Sequence, residues 1–257
     1  EPASYLNFCL ASDGFVYATS LDRKGGQIRK LNSIGKNIFP EHFYGERSFD
    51  EAGLPVDPKF EAIAVDRNGI VNVVDINTGR IYQYTRDGVL LTVFGLNGNK
   101  KGMFSAANGL AVDSGGRIFV SDYATGTIQV FRPTRFIREI HSAIGLFQDG
   151  RYEEAEIHWR NVQEVCETYR LAYDSLGRID YKADRFSESM ESYFLAGNKE
   201  GYSLAFVELR HEWIRDHFAW VVLAALVVLL AGIQAIRRFR RYSAENVDRL
   251  ARGGKNP

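Results

Sequence analysis

The sequence predicts a multidomain chain, with all-β propeller blades first, all-α helical hairpins next, and one transmembrane helix near the end. A strand–turn–strand segment recurs at an offset of 47 residues, a helical pattern recurs at an offset of 34, and residues 218–236 carry no charge. The predicted parts are blades at 1–134, helical repeats at 135–200, a capping or linker helix at 201–217, the membrane span at 218–236 and a basic tail at 237–257.

The blade prediction depends on an internal repeat. Residues 62–75 match residues 109–122, and a more divergent copy begins at residue 8. Each copy has a short apolar strand, a polar turn with glycine, an alternating second strand and a third strand that begins with Ile. Four antiparallel strands every ~40–50 residues are typical of a propeller blade. The middle copy supplies a fourth strand at 89–94.

The pattern resembles the NHL repeat, and Asn108-Gly109-Leu110-Ala111-Val112-Asp113 through Phe131 is the best match. The middle copy has Glu61-Ala62 where the motif prefers Gly, and the first has Ser20 where Asp is expected. The resemblance covers about residues 5–132 and implies a propeller fold. The residues that define the repeat are Asp66, Gly69, Asp75, Asp113, Gly116 and Asp122.

The resemblance also raises the question of a metal, because some NHL-like propellers are lactonases or lyases with a metal in the central channel. The four aspartates recur at the same places in the repeat. We therefore interpret them as turn formers rather than metal ligands.

Three copies are fewer than the roughly four to eight blades of a closed propeller. The last copy ends at its third strand, because 132–134 leads directly into a helical pattern. We expect this chain to be the C-terminal part of a longer protein with about three further blades. The alternative is an open three-blade array that a partner chain completes.

From about Phe136 the periodicity is helical. The 34-residue offset aligns Ala143 with Gly177, Ala155 with Ser189, and Trp159 with Tyr193. Small residues allow paired helices to approach closely, and aromatic residues fill the space to the next pair. This spacing resembles two tetratricopeptide repeats, whose core the next helix would cap. We expect one long helix from about Tyr202 into the membrane span.

The apolar segment 218–236 has 19 residues, which a helix would extend over about 29 Å, close to the ~30 Å bilayer core. The alternative is a buried helix of a soluble core. Trp213 and Trp220 would lie near the outer interface. The positive-inside rule predicts a single-pass plasma-membrane protein with N-terminal domains outside and a cytoplasmic C-terminus. This orientation is predicted by the arginines after the span, Arg237, Arg238, Arg240 and Arg241.

The sequence contains no pattern typical of a catalytic site, and we expect no cofactor. With 32 basic and 32 acidic residues, the charge balance does not indicate a nucleic-acid partner. Cys9 and Cys166 lie in different predicted domains, so we expect two unpaired, buried thiols. Of the five histidines only His42 falls among the blades, and His141 is expected to be an ordinary helical residue.

Propellers and helical repeats both present broad surfaces to partners. The sequence therefore predicts a non-catalytic extracytoplasmic scaffold, an accessory subunit of a membrane complex such as a transporter. The architecture is similar to anchored NHL proteins of bacterial solute-uptake systems. Expected partners are other membrane subunits and the lipid bilayer. Two alternatives remain: a membrane-tethered hydrolase or lyase with its active site in further blades, and a sensor of a glycan or peptide.

Overall fold

The computed structural model describes residues 4–20, 27–38, 48–49, 55–56 and 58–253, and describes side chains to residue 239 except at 48–49 and 55–56. The chain divides into two compact units, Glu1–Ile179 and Asp180–Pro257. His42 and residues 254–257 of the predicted tail lie outside the described residues, as do the side chains of Arg240 and Arg241.

The first unit begins with antiparallel strands. They are β1 (Tyr5–Leu10), β2 (Val16–Ser20), β3 (Ile28–Leu31), β4 (Ser48–Phe49), β5 (Pro55–Val56), β6 (Phe60–Val65), β7 (Val71–Asp75), β8 (Arg80–Tyr84), β9 (Leu90–Phe94), β10 (Ala107–Val112), β11 (Ile118–Asp122) and β12 (Thr127–Phe131). Three blade-like sheets have the orders β1-β2-β3, β6-β7-β8-β9 and β10-β11-β12, and β4 pairs with β5. We name the three sheets the first, second and third blade.

The blades share details of strand pairing. The pairing register of the first strand shifts at the same place in each, after Tyr5, Phe60 and Ala107. Strand β6 lies beside both β1 and β10, so the first strands of the three blades are neighbours. The predicted fourth strand of the middle copy is present as β9, and the third blade ends at β12 as expected.

Apolar layers fill the spaces between the blades. Tyr17 and Ile28 of the first blade pack with Phe60 and Tyr82 of the second. On its other side, the second blade packs against the third around the fully buried Phe104. The alternating pattern of the strands explains both layers, because successive side chains point to opposite faces of a sheet.

Helices follow the third blade, and they are α1 (Arg135–Gln148), α2 (Tyr152–Val165), α3 (Arg170–Lys182), α4 (Phe186–Ala196), α5 (Lys199–Asp216) and α6 (Phe218–Gly253). Thr134 caps α1 by accepting a hydrogen bond from the main-chain N–H of Ile137. Helices α1 and α2 and the first part of α3 share one core with Ile70 and Leu91 of the second blade. This core joins the blades and the first helices into one unit.

In the second unit, Gly201 of α5 lies against the ring of Tyr193 in α4. The expectation of one long helix from Tyr202 into the apolar segment is wrong, because α5 ends at Asp216 and α6 begins at Phe218. His217 between them has φ −106° and ψ 10°, outside the helical region. Its ring stacks on Trp213 and its Nδ1 bonds the Trp213 carbonyl oxygen at 2.9 Å.

Candidate functional site

Asp75 and Asp122 occupy the same position in the second and third blades, at the end of the second strand. Asp75 is fully buried, and its carboxylate accepts hydrogen bonds from the main-chain N–H groups of Lys59 and Asn77 and from the Thr78 hydroxyl. The Asp122 carboxylate accepts four main-chain N–H groups, at residues 105, 106, 124 and 125. Burial would raise the pKa of Asp122, but these four donors together lower it.

Asp66 and Asp113 form the turns between the first and second strands. One carboxylate oxygen of Asp66 accepts the main-chain N–H of Asn68 and Ile70, and Asp113 does the same for residues 115 and 117. Gly69 and Gly116 both have φ 75°, the left-handed conformation that glycine adopts without strain. In the first blade Ala11 takes the place of Asp66, as the equivalent turn hydrogen bonds show.

The four aspartates thus bind the main chain of their own blade at equivalent positions in the second and third blades. No group of three or more His, Cys, Asp or Glu side chains that could hold a metal ion occurs within the described ranges. These carboxylates stabilise turns and loops by accepting main-chain hydrogen bonds.

A buried polar cluster connects the second blade to α1. His141 of α1 is 7% exposed, and its Nε2 lies 3.3 Å from Gln83 Oε1. The Gln83 amide nitrogen in turn donates to Asn72 Oδ1 at 2.7 Å. The amide nitrogen of Asn72 donates to two main-chain carbonyls. We name these three side chains, with Asp66, the His141 cluster.

The hydrogen bonds of the His141 cluster define its proton positions. Because Asn72 Oδ1 accepts from Gln83, the other atom of the Gln83 amide is an oxygen, and His141 Nε2 must donate to it. The Nδ1 atom then faces Asp66 Oδ2 at 3.8 Å. Burial lowers the pKa of His141 to about 4 and raises the pKa of Asp66. At neutral pH the ring is therefore uncharged.

The predicted helical positions are placed as follows. Ala143, Ala155 and Trp159 meet in the core of α1, α2 and α3, where each is almost fully buried. Gly177 is buried in α3. Tyr193 is buried in α4 of the second unit, where it contacts Gly201.

The expectation of buried thiols is wrong. Cys9 and Cys166 are both free, but each is only partly buried. Cys9 lies on the edge strand β1, and Cys166 follows the end of α2. Neither position encloses a side chain on all sides.

Helix α6 contains a 22-residue segment, Phe218–Phe239, that is long and apolar enough to cross a membrane. None of its residues is buried. Trp213 and Trp220, on either side of the break at His217, are exposed, as are Arg237 and Arg238 beyond the apolar residues.

Apolar side chains are also exposed at both ends of the blade array. Phe8 and Leu10 on β1 are 70% and 71% exposed. On β12, Ile128 is 67% and Val130 49% exposed, opposite Ser121 and Phe119 of the neighbouring strand. We name these two surfaces the β1 face and the β12 face.

The NHL repeat family matches residues 104–131, which contain all three strands of the third blade. This confirms the NHL assignment of the predicted best copy. None of the curated proteins compared with the chain matches it.

Several solved structures, a WD40 β-propeller domain among them, are similar to about half of this chain. A catalytically inactive virginiamycin B lyase from Staphylococcus aureus with quinupristin is 19% identical, with a TM-score of 0.35 over 52% of this chain and 43% of that one. The WD40 β-propeller domain of Doa1 is 14% identical, with a TM-score of 0.33 over 50% and 36%. The extracellular domain of a putative hybrid two component system from B. thetaiotaomicron is 14% identical, with a TM-score of 0.36 over 50% and 17%. The chain covers less than half the length of each.

Sequence reasoning missed the His141 cluster. The helical pattern predicts only an ordinary helical role for His141, and no sequence motif connects it with Asn72 and Gln83. The available signal was their position: both are polar residues on strands whose neighbouring residues are apolar.

Proposed function

We propose that this chain is a non-catalytic interaction module on a single-pass membrane anchor, an accessory subunit of a membrane complex such as a transporter. The observation that carries the proposal is the apolar segment of α6, a 22-residue helix without a buried residue. Such a surface is costly in water and favourable in lipid or against other apolar helices.

The orientation follows from charge. Arg237, Arg238, Arg240 and Arg241 lie at one end of the apolar segment, and Trp213 and Trp220 lie near the other. The positive-inside rule then favours a cytoplasmic C-terminus and blades outside the plasma membrane.

The blades and helices are the partner-binding part. The β1 and β12 faces leave apolar side chains open to further blades, and we assign the three blades to a larger propeller. We also assign α1 to α4 to two tetratricopeptide-like pairs, because the small and aromatic residues recur at 34-residue spacing. A hydrolase or lyase on this scaffold would need catalytic groups from other blades.

Co-purification tests the accessory-subunit proposal. The full-length protein is extracted from its own membranes with a mild detergent, and proteins that accompany it are identified by mass spectrometry. We expect other membrane subunits in stoichiometric amounts. Recovery as a monomer without partners would refute the proposal.

A variant pair tests the blade surface in the same experiment. Ile128→Lys places a charge on the β12 face, whereas Ile157→Lys places one on α2 at a similar exposure of 61%. If the β12 face binds the partner or further blades, Ile128→Lys reduces recovery of the complex or its thermal stability more than Ile157→Lys does. Equal effects would remove the β12 face from the proposal.

Cysteine labelling tests the orientation. In a chain with Cys9 and Cys166 replaced by serine, single cysteines are placed at Lys199, before α6, or at Ser243, after the arginines. A membrane-impermeant maleimide on intact cells should label Lys199→Cys and should label Ser243→Cys only after lysis. The reverse pattern would overturn the orientation.

A further inference from the structure

The first unit contains a cavity of about 310 Å³ between the second blade, the third blade and α1. Its walls are mainly apolar, with Phe94, Ile118, Phe131 and Ile137 among them. Small-molecule sites are typically concave and apolar with a few polar groups, at roughly 300–1,000 Å³. This cavity lies at the lower end of that range.

The chain path explains why the cavity exists. The second blade is completed by its fourth strand, β9, whereas the third blade has three strands and the chain turns into α1 after Phe131. A strand fits about 4.8 Å from its neighbour, but a helix with its side chains is about 10–12 Å across. A helix at this place cannot fill the gap between β9 and β12 as a strand would.

Buried polar groups line one side of the cavity. His141 and Gln83 are 7% and 3% exposed, and both belong to its lining. Their mutual contact of 3.3 Å is long for a hydrogen bond, so the Nε2–H of the uncharged ring is available to a better acceptor. A ligand oxygen here would find a donor within an apolar surrounding.

The charge of the lining selects the ligand. Arg132 is its one charged residue among the described side chains, and no carboxylate lines the cavity. Arg132 is exposed, and none of the described residues forms an ion pair or hydrogen bond with it. A guanidinium with free donors matches a carboxylate in geometry and charge.

We propose that this cavity binds a small, mainly apolar carboxylic acid, with its apolar body against the packed rings of Phe94 and Phe131 and its carboxylate at Arg132. The inference adds a ligand site to the interaction module and does not depend on the membrane partner. It assigns His141 a second polar contact with the bound acid.

The test uses the full chain in lipid nanodiscs with isotope-labelled isoleucine methyl groups. The probes are 3-phenylpropionate and its uncharged amide, 3-phenylpropanamide, at millimolar concentration. We expect the methyl signals of Ile118 and Ile137 to shift on titration with the carboxylate, and that of Ile179, outside the cavity, to stay in place. Because the signals come from the cavity, partition of the probes into lipid does not imitate binding.

Variants separate the roles of charge and shape. Arg132→Gln should weaken binding of the carboxylate probe about tenfold and change binding of the amide probe by less than about twofold, since only the acid pairs with the guanidinium. Arg160→Gln, on the exposed face of α2, should change neither. Thr92→Trp fills the cavity and should abolish both shifts, and an unchanged Ile179 methyl signal shows that this variant is folded.

Absence of shifts at Ile118 and Ile137 with both probes would overturn the proposal. Equal weakening by Arg132→Gln and Arg160→Gln would overturn the assignment of the carboxylate to Arg132. Binding that persists in a folded Thr92→Trp variant would place the ligand elsewhere.

Discussion

Replacing Asp75 tests whether the repeat carboxylates hold each blade together. Asp75→Ala removes three hydrogen bonds to a fully buried carboxylate, two of them from main-chain N–H groups. Hydrogen bonds to a charged group contribute about 1.5–3 kcal/mol each, and removing the buried charge offsets part of that sum. We expect a loss of about 3–4 kcal/mol, which lowers Tm by roughly 10 °C for a unit of this size.

Two further variants make this prediction specific. Asp75→Asn keeps one acceptor oxygen for the main chain and should cost about 1–2 kcal/mol. Ser20→Ala changes the equivalent position of the first blade, where the serine donates to the Ser4 carbonyl at 3.1 Å. That loss should be about 1 kcal/mol.

Tryptophan fluorescence of the full chain in detergent, heated at a fixed scan rate, measures the change. Trp159 is 2% exposed in the first unit and reports its unfolding, whereas Trp213 and Trp220 are exposed in α5 and α6. If Asp75→Ala leaves the midpoint of thermal unfolding within about 1 °C of the wild type, the carboxylate does not stabilise the blade. Equal losses for Asp75→Ala and Asp75→Asn would show that the charge alone matters.

Three other outcomes follow from contacts within single units. Gly79 and Gly126 both have positive φ, 63° and 65°. A Cβ at Gly79 would meet main-chain atoms at 2.9 Å, whereas a Cβ at Gly126 would meet nothing within 4 Å. In thermal unfolding, Gly126→Ala should therefore cost about 1 kcal/mol of stability and Gly79→Ala clearly more. In Gly201→Ala the new methyl would lie 2.6 Å from the Tyr193 ring, so hydrogen exchange in α4 and α5 should accelerate. Unchanged or slower exchange would mean that the two helices make room for the methyl without loss of stability. Burial lowers the pKa of His141 to about 4, so the stability that the neutral ring contributes is complete above pH 6.5 and falls by up to roughly 3 kcal/mol as the pH drops towards 4. The raised pKa of Asp66 offsets part of this loss. Denaturant unfolding should show this fall in the free energy of unfolding with decreasing pH in the wild type and not in His141→Gln.

The repeat made the blades predictable. The spacing of Asp66 and Gly69 relative to Asp113 and Gly116 fixes the turns, and the alternation of strands fixes their faces. The sequence also predicts that the middle copy has a fourth strand and that the third copy has none. The middle copy has a turn at residue 88 before that strand, and the third copy has no such turn before α1.

Other features depend on tertiary contacts that no local pattern contains. His141 and Gln83 are 58 residues apart, and their hydrogen bond exists only because α1 packs on the second blade. The break at His217 has no local sequence signal, because histidine is an acceptable helix residue, and the stacking of its ring on Trp213 is seen only in the structure. The partial burial of Cys9 likewise depends on tertiary packing, since its side chain packs against the core between the first and second blades.

The core that α1, α2 and α3 share with the second blade has a consequence for biosynthesis. Ile140 follows Ile70 by 70 residues, so at about 5–20 residues per second the ribosome delivers the helix residue roughly 4–14 s after the blade residue with which it shares a core. During this interval Ile70 and Leu91 face solvent or a chaperone. A chain cut at Thr134 would keep them uncovered permanently, and we expect such a fragment to aggregate, since the apolar side chains that the helices bury would stay exposed.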